Sequence, residues 1–145
     1  MAKAKHVNIR TVLTMDPEEI LENMMSEYGG IEVPDYVSGP EDLDRISQLL
    51  SWCINSKSYL SSLEIYLDIA TRNAKKSGDK DLHSDMVCRR NIIKTFKDIV
   101  ADTYTASSRM ATIYFEQRKE LEEEQRTNNV QYGRSGFSGS GPSQR

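Results

Sequence analysis

The sequence has two histidines and two cysteines, the side chains best suited to nucleophilic or metal chemistry at neutral pH: His6, His83, Cys53 and Cys88. A metal centre needs three or four ligands at close spacing, and one His with one Cys does not supply them. A Cys–His nucleophile pair needs both groups in a cleft with a third group to orient the base. His83 and Cys88 are five residues apart beside a turn signal, where no cleft is expected. There is no GxxxxGK[ST] phosphate loop and no GxGxxG turn. Paired carboxylates occur only at helix-spaced polar positions. These observations predict no catalytic residue, no metal and no cofactor, and a protein that is not an enzyme.

The other chemistry available is charge. The net charge of −3 conceals segregation along the 145 residues. Asp16 to Asp44 holds ten acids and no base. Arg72 to Lys97 holds eight bases: Arg72, Lys75, Lys76, Lys80, Arg89, Arg90, Lys94 and Lys97. Three acids, Asp79, Asp81 and Asp85, leave that stretch at +5. A local excess of this size is a polyanion-binding candidate whatever the whole-chain balance. The same run also fits a plain solvated face.

The elements that place these charges read as helices. Asp16-Pro17-Glu18-Glu19 is a start signal, with a capping carboxylate, Pro at the first helical position and acids at the positive end of the dipole. Ile20, Leu21, Met24, Met25 and Tyr28 then share a face, and Gly29-Gly30 stops the helix. Residues 1–15 read as a flexible N-terminus and 31–39 as a linker.

Gly39-Pro40-Glu41 opens a second helix, expected over about 40–76. Its seam is Ile46, Leu49, Cys53, Ser56, Leu60, Leu63, Leu67, Ala70 and Ala74, alternating mainly four and three residues apart. Trp52, Tyr59 and Tyr66 flank it at intervals of seven. Ser77-Gly78-Asp79 is a turn. A third helix is expected over about 82–125. Its stripe is Ile92, Ile93, Phe96, Ile99, Val100, Thr103, Ala106, Ser107, Met110, Ile113, Tyr114 and Leu121. At 1.5 Å per residue both helices would be roughly 55–65 Å long, and the short turn makes them antiparallel.

The expected fold is therefore all-α: a long helical hairpin with a short amphipathic helix before it. The basic residues would cluster at the hairpin tip, and the acidic run near its open end. Two helices cannot cover both flanks of their own seams, so copies of the chain are expected to assemble into a bundle. The core and oligomer seam would be carried by Leu49, Leu60, Leu63, Leu67, Ile93, Phe96, Val100, Met110 and Tyr114. From residue 127 the chain is Gly, Ser, Gln and Asn with Tyr132, Arg134, Phe137 and Arg145, and reads as a disordered tail. No run of 18 apolar residues and no apolar leader occurs, so an intracellular, cytoplasmic protein is expected.

Residues 40–121 resemble the phage UvsY recombination-mediator family. The resemblance is carried by Leu49-Leu50-Ser51-Trp52-Cys53-Ile54-Asn55 in the first long helix. It is carried also by Ile92 to Glu120 with Phe115-Glu116-Gln117-Arg118-Lys119 in the second. It implies a homo-oligomer that binds single-stranded DNA without sequence preference. It also implies loading of a recombinase against a single-strand-binding protein. Only the basic residues near the turn carry over to a binding role. If an aromatic is exposed nearby, bases can stack on it, with Tyr59 and Tyr66 as candidates. The alternative is a helical scaffold, virion component or adaptor with no nucleic-acid role.

Overall fold

The computed structural model describes residues 7–135, with side chains described as far as Asn129. The described residues form four helices in the order α1 (Ile9–Val12), α2 (Pro17–Tyr28), α3 (Pro40–Ser77) and α4 (Lys80–Ser135). α3 and α4 pack antiparallel as a hairpin; α1 lies on α3 and α2 on α4. There is no strand among the described residues.

Of the segment 1–15 expected to be flexible, residues 7–15 are ordered. Asn8 Oδ1 accepts from the Arg10 and Thr11 amides at 3.0 and 2.9 Å, and Thr11 Oγ1 accepts from the Asn8 amide at 3.0 Å. This reciprocal cap satisfies donors that the first turn cannot. It turns Val7, Val12 and Met15 into the core, where each is buried. Residues 1–6, His6 among them, lie outside the described residues.

α2 starts as expected, with Asp16 Oδ1 accepting from the Glu18 amide at 3.3 Å and Pro17 in the first turn. Ile20, Met24 and Tyr28 are buried, whereas Leu21 and Met25 stay exposed. The packed stripe is thus narrower than the sequence suggests. Tyr28 is the anchor: its ring lies 5.4 Å from Trp52 of α3 and 6.3 Å from Phe96 of α4. One aromatic thereby spans both hairpin helices, with contact geometry that adds to simple burial.

Along α3 the buried positions are Ile46, Cys53, Ser56, Leu60, Leu63, Leu67, Thr71 and Ala74. Leu49 and Ala70, expected in the seam, are half-buried, and Thr71 takes a place the sequence reading did not assign. Thr71 is accommodated because its hydroxyl donates to the Leu67 carbonyl at 2.6 Å. On α4 Ile93, Phe96, Val100 and Ser107 are buried. Met110 and Tyr114 are half-buried, and Ile99, Ile113 and Leu121 are exposed, against expectation. Each fully buried Leu or Ile contributes roughly 1.5–3 kcal/mol relative to exposure.

The turn is two residues, Gly78 and Asp79. Gly78 takes φ 78°, a left-handed conformation that glycine adopts without the Cβ penalty. Asp79 Oδ1 then accepts from the Leu82 amide at 3.1 Å and starts α4.

α4 continues to Ser135, past the expected end near 125, so residues 127–135 are helical rather than the start of a disordered tail. Phe137 and Arg145 lie outside the described residues. The helix has 56 residues against 38 in α3. The cross-hairpin pairs Glu64–Lys97 and Asp68–Arg90 place Pro40 alongside Arg118 to Leu121. Beyond that point no other described helix accompanies α4, and every side chain from Phe115 to Asn129 is exposed.

Candidate nucleic-acid interface

The eight basic residues singled out in the sequence do not form one cluster at the tip. Arg89 is buried at 5% exposure. Its Nε donates to the Met15 carbonyl at 3.1 Å, and Nη1 faces Asp85 Oδ2 at 2.5 Å. It is a core residue, and its assignment to binding is corrected. The start of the acidic run consequently lies against α4 at Arg89, not at the open end of the hairpin.

Arg90 and Lys97 face across to α3. Arg90 Nη1 lies 3.7 Å from Asp68, and Lys97 Nζ donates to Glu64 Oε1 at 2.8 Å. These pairs tie the two long helices together. Arg72, Lys75, Lys76, Lys80 and Lys94 are exposed and have no ion pair among the described residues. At the turn itself, Asp79 and Asp81 sit beside Lys76 and Lys80, so the local field there is nearly balanced.

The excess positive charge lies along one side of the hairpin. On α3, Lys57, Ser61, Glu64, Asp68, Arg72 and Lys75 follow one another at steps of four and three. On α4, Arg90, Lys94, Lys97, Ala101 and Tyr104 do the same. Such spacing keeps a row of side chains on one helix face. The Glu64–Lys97 and Asp68–Arg90 pairs show that the two rows face each other. Together they hold six cations against two carboxylates. Asp98 and Asp102 bound this field on the outer face of α4.

Where the rows meet at Lys57 and Tyr104, the helices leave an open groove of about 550 Å³. Ile54, Lys57, Ser58 and Ser61 line it from α3, and Val100, Ala101, Tyr104 and Thr105 from α4. Trp52 and Tyr59 pack toward the core on the side covered by α1 and α2. The acidic side chains of α2 therefore ride on one flank of the hairpin and the cations on the other.

Sequence reasoning missed Lys57 and Tyr104. Both were visible as continuations of the four-and-three spacing outside the apolar seam. The aromatic candidates it named are placed elsewhere. Tyr59 is half-buried beside α1, and Tyr66 is exposed on the Trp52–Tyr59 row.

Neither cysteine sits in a catalytic arrangement. Burial pushes the Cys53 thiol up, away from the nucleophilic thiolate. Cys88 is exposed on a shallow depression with Asp81, Ser84 and Asp85, which His83 does not line. Among the described residues no three His, Cys, Asp or Glu side chains could hold a metal ion. No helix among them is long and apolar enough to cross a membrane. No family model, curated protein or solved structure matches the chain.

Proposed function

We propose that this chain is a non-enzymatic accessory factor that binds single-stranded nucleic acid along the cationic side of its hairpin. The observation that carries the reading is the pair of facing rows, with Lys57, Arg72, Lys75 and Lys94 exposed around the Glu64–Lys97 and Asp68–Arg90 pairs. A polyanion gains affinity from such a row through counterion release, without reading sequence. The UvsY resemblance extends the role to loading a recombinase against a single-strand-binding protein, with copies of the chain acting as an oligomer.

The test is fluorescence anisotropy of a labelled single-stranded DNA across a salt series. Wild type is compared with the triple variant Arg72→Gln, Lys75→Gln, Lys94→Gln. These three side chains are exposed and unpaired, so the variant should fold. At ~0.7 counterions per phosphate contact on single strands, the log–log salt slope should become shallower by about two. No binding at low salt by a folded wild-type protein overturns the reading.

A second reading, a structural or adaptor helix protein, draws on the exposed apolar side chains Ile65, Phe115 and Leu121, at 60%, 56% and 58%. Large exposed apolar groups of this kind are what partner surfaces provide. Self-association in sedimentation velocity by a folded protein that binds no single-stranded DNA would favour this reading over the first.

A further inference from the structure

Charge alone would hold a strand anywhere along the two rows; the groove at their end adds something a phosphate does not need. Tyr104 stands there 42% exposed, and its neighbours Ala101, Ser58 and Ser61 are too small to cover its ring. Ile54, 57% exposed, forms the opposing apolar wall. Lys57 lines the same groove and begins the cationic row of α3. An apolar slot with an aromatic wall and a cation at its lip matches a nucleotide: a flat base and an adjacent phosphate.

Tyr36 and Tyr66 are also exposed, at 72% and 45%, but neither lines this groove or lies on the cationic rows. Trp52 and Phe96 both pack on Tyr28 on the covered flank. Tyr114 and Phe115 meet edge to face at 5.7 Å, beyond the last cation of the row.

We propose that Tyr104 is a base-stacking platform, with a base of the bound strand lying on its ring in the groove and Lys57 meeting the neighbouring phosphate. This rests on the single-strand reading above and names where the bases, rather than the backbone, are held.

The experiment compares an oligothymidylate with an abasic backbone of equal length. The proteins are wild type, Tyr104→Phe, Tyr104→Leu and the triple cation variant, each checked for helicity by circular dichroism. Wild type and Tyr104→Phe should prefer the oligothymidylate. Tyr104→Leu keeps apolar bulk without the π face. It should lose about five- to hundredfold in affinity for the bases while binding the abasic chain as wild type does. If Tyr104→Leu retains the full preference, the stacking role is wrong. It is wrong as well if wild type binds both oligomers equally. If the triple variant also binds as tightly as wild type, the single-strand reading itself falls.

Discussion

Arg89 of α4 donates from Nε to the backbone carbonyl of Met15 at 3.1 Å, across 74 residues of chain. This buried hydrogen bond ties the junction between α1 and α2 to the hairpin. Its charge is met by Asp85, one helical turn back. The bond is the reason a residue in a basic run serves the core.

Replacing Arg89 should therefore act on stability and not on nucleic-acid contact. Arg89→Met keeps much of the apolar stem but leaves the Met15 carbonyl unpaired. The expected cost is about 2–3 kcal/mol, the scale of a lost charged hydrogen bond with a buried acceptor left behind. Urea unfolding followed by circular dichroism measures it. A loss below ~0.5 kcal/mol would show the tie to be incidental. Under native conditions the single-strand affinity of the folded variant should equal that of wild type.

The Glu64–Lys97 bridge is the tighter of the two cross-hairpin pairs, with both side chains less than one-third exposed. A double-mutant cycle with Glu64→Gln and Lys97→Met should return a coupling of about 0.5–1.5 kcal/mol. The same cycle in high salt should retain most of that coupling, because a part-buried pair is less screened than a surface one. A coupling near zero would mean that apolar packing alone sets the helix register.

The projecting part of α4 should contribute almost nothing to the stability of the hairpin. Its side chains are exposed as far as Asn129, and no other helix among the described residues packs on it. A chain ending at Leu121 should melt within about 3 °C of the full-length protein. Its total helical signal should fall with the residues removed. A larger drop in melting temperature would place the projecting helix in an interface between copies.

Stability should decline in strong alkali. Burial, reinforced by the Glu27 charge, pushes the Tyr28 hydroxyl up to about 12, while its hydrogen bond with Ser56 pulls weakly the other way. Burial raises Tyr59 in the same direction. An unfolded tyrosine ionises near 10, so above that pH the unfolded state releases protons that the folded state retains. The stabilisation is complete below pH 10 and is lost progressively as pH rises toward 12. Tyr28→Phe should flatten the pH dependence over this window in urea titrations; an unchanged profile would rule Tyr28 out as its source.

The hairpin was legible because its signals are local. Asp16-Pro17, the Leu60–Leu63–Leu67 seam and Ser77-Gly78-Asp79 each mark an element from a few neighbouring letters. What escaped depends on distant partners. Nothing near Arg89 in the chain reveals that the Met15 carbonyl awaits it. Nothing near Val7 in the chain reveals the core it joins. The cationic side escaped for a different reason. Charge counted along the chain groups Arg89 with Arg90, yet one residue of helix turns a side chain by about 100°. That rotation sends the first into the core and the second to the α3 carboxylates. The end of α4 escaped because Thr127-Asn128-Asn129 looks like a breaker by composition, although the helix runs through it.

With only Gly78 and Asp79 between α3 and α4, the hairpin has no slack in its connection. The turn then acts as a phase setting. One residue inserted there and propagated into α4 would rotate its whole face by about 100°. Arg90 and Lys97 would leave their carboxylates, and the row ending in Tyr104 would swing off the groove. The alignment of charge with groove therefore depends less on the charges than on the length of a two-residue link.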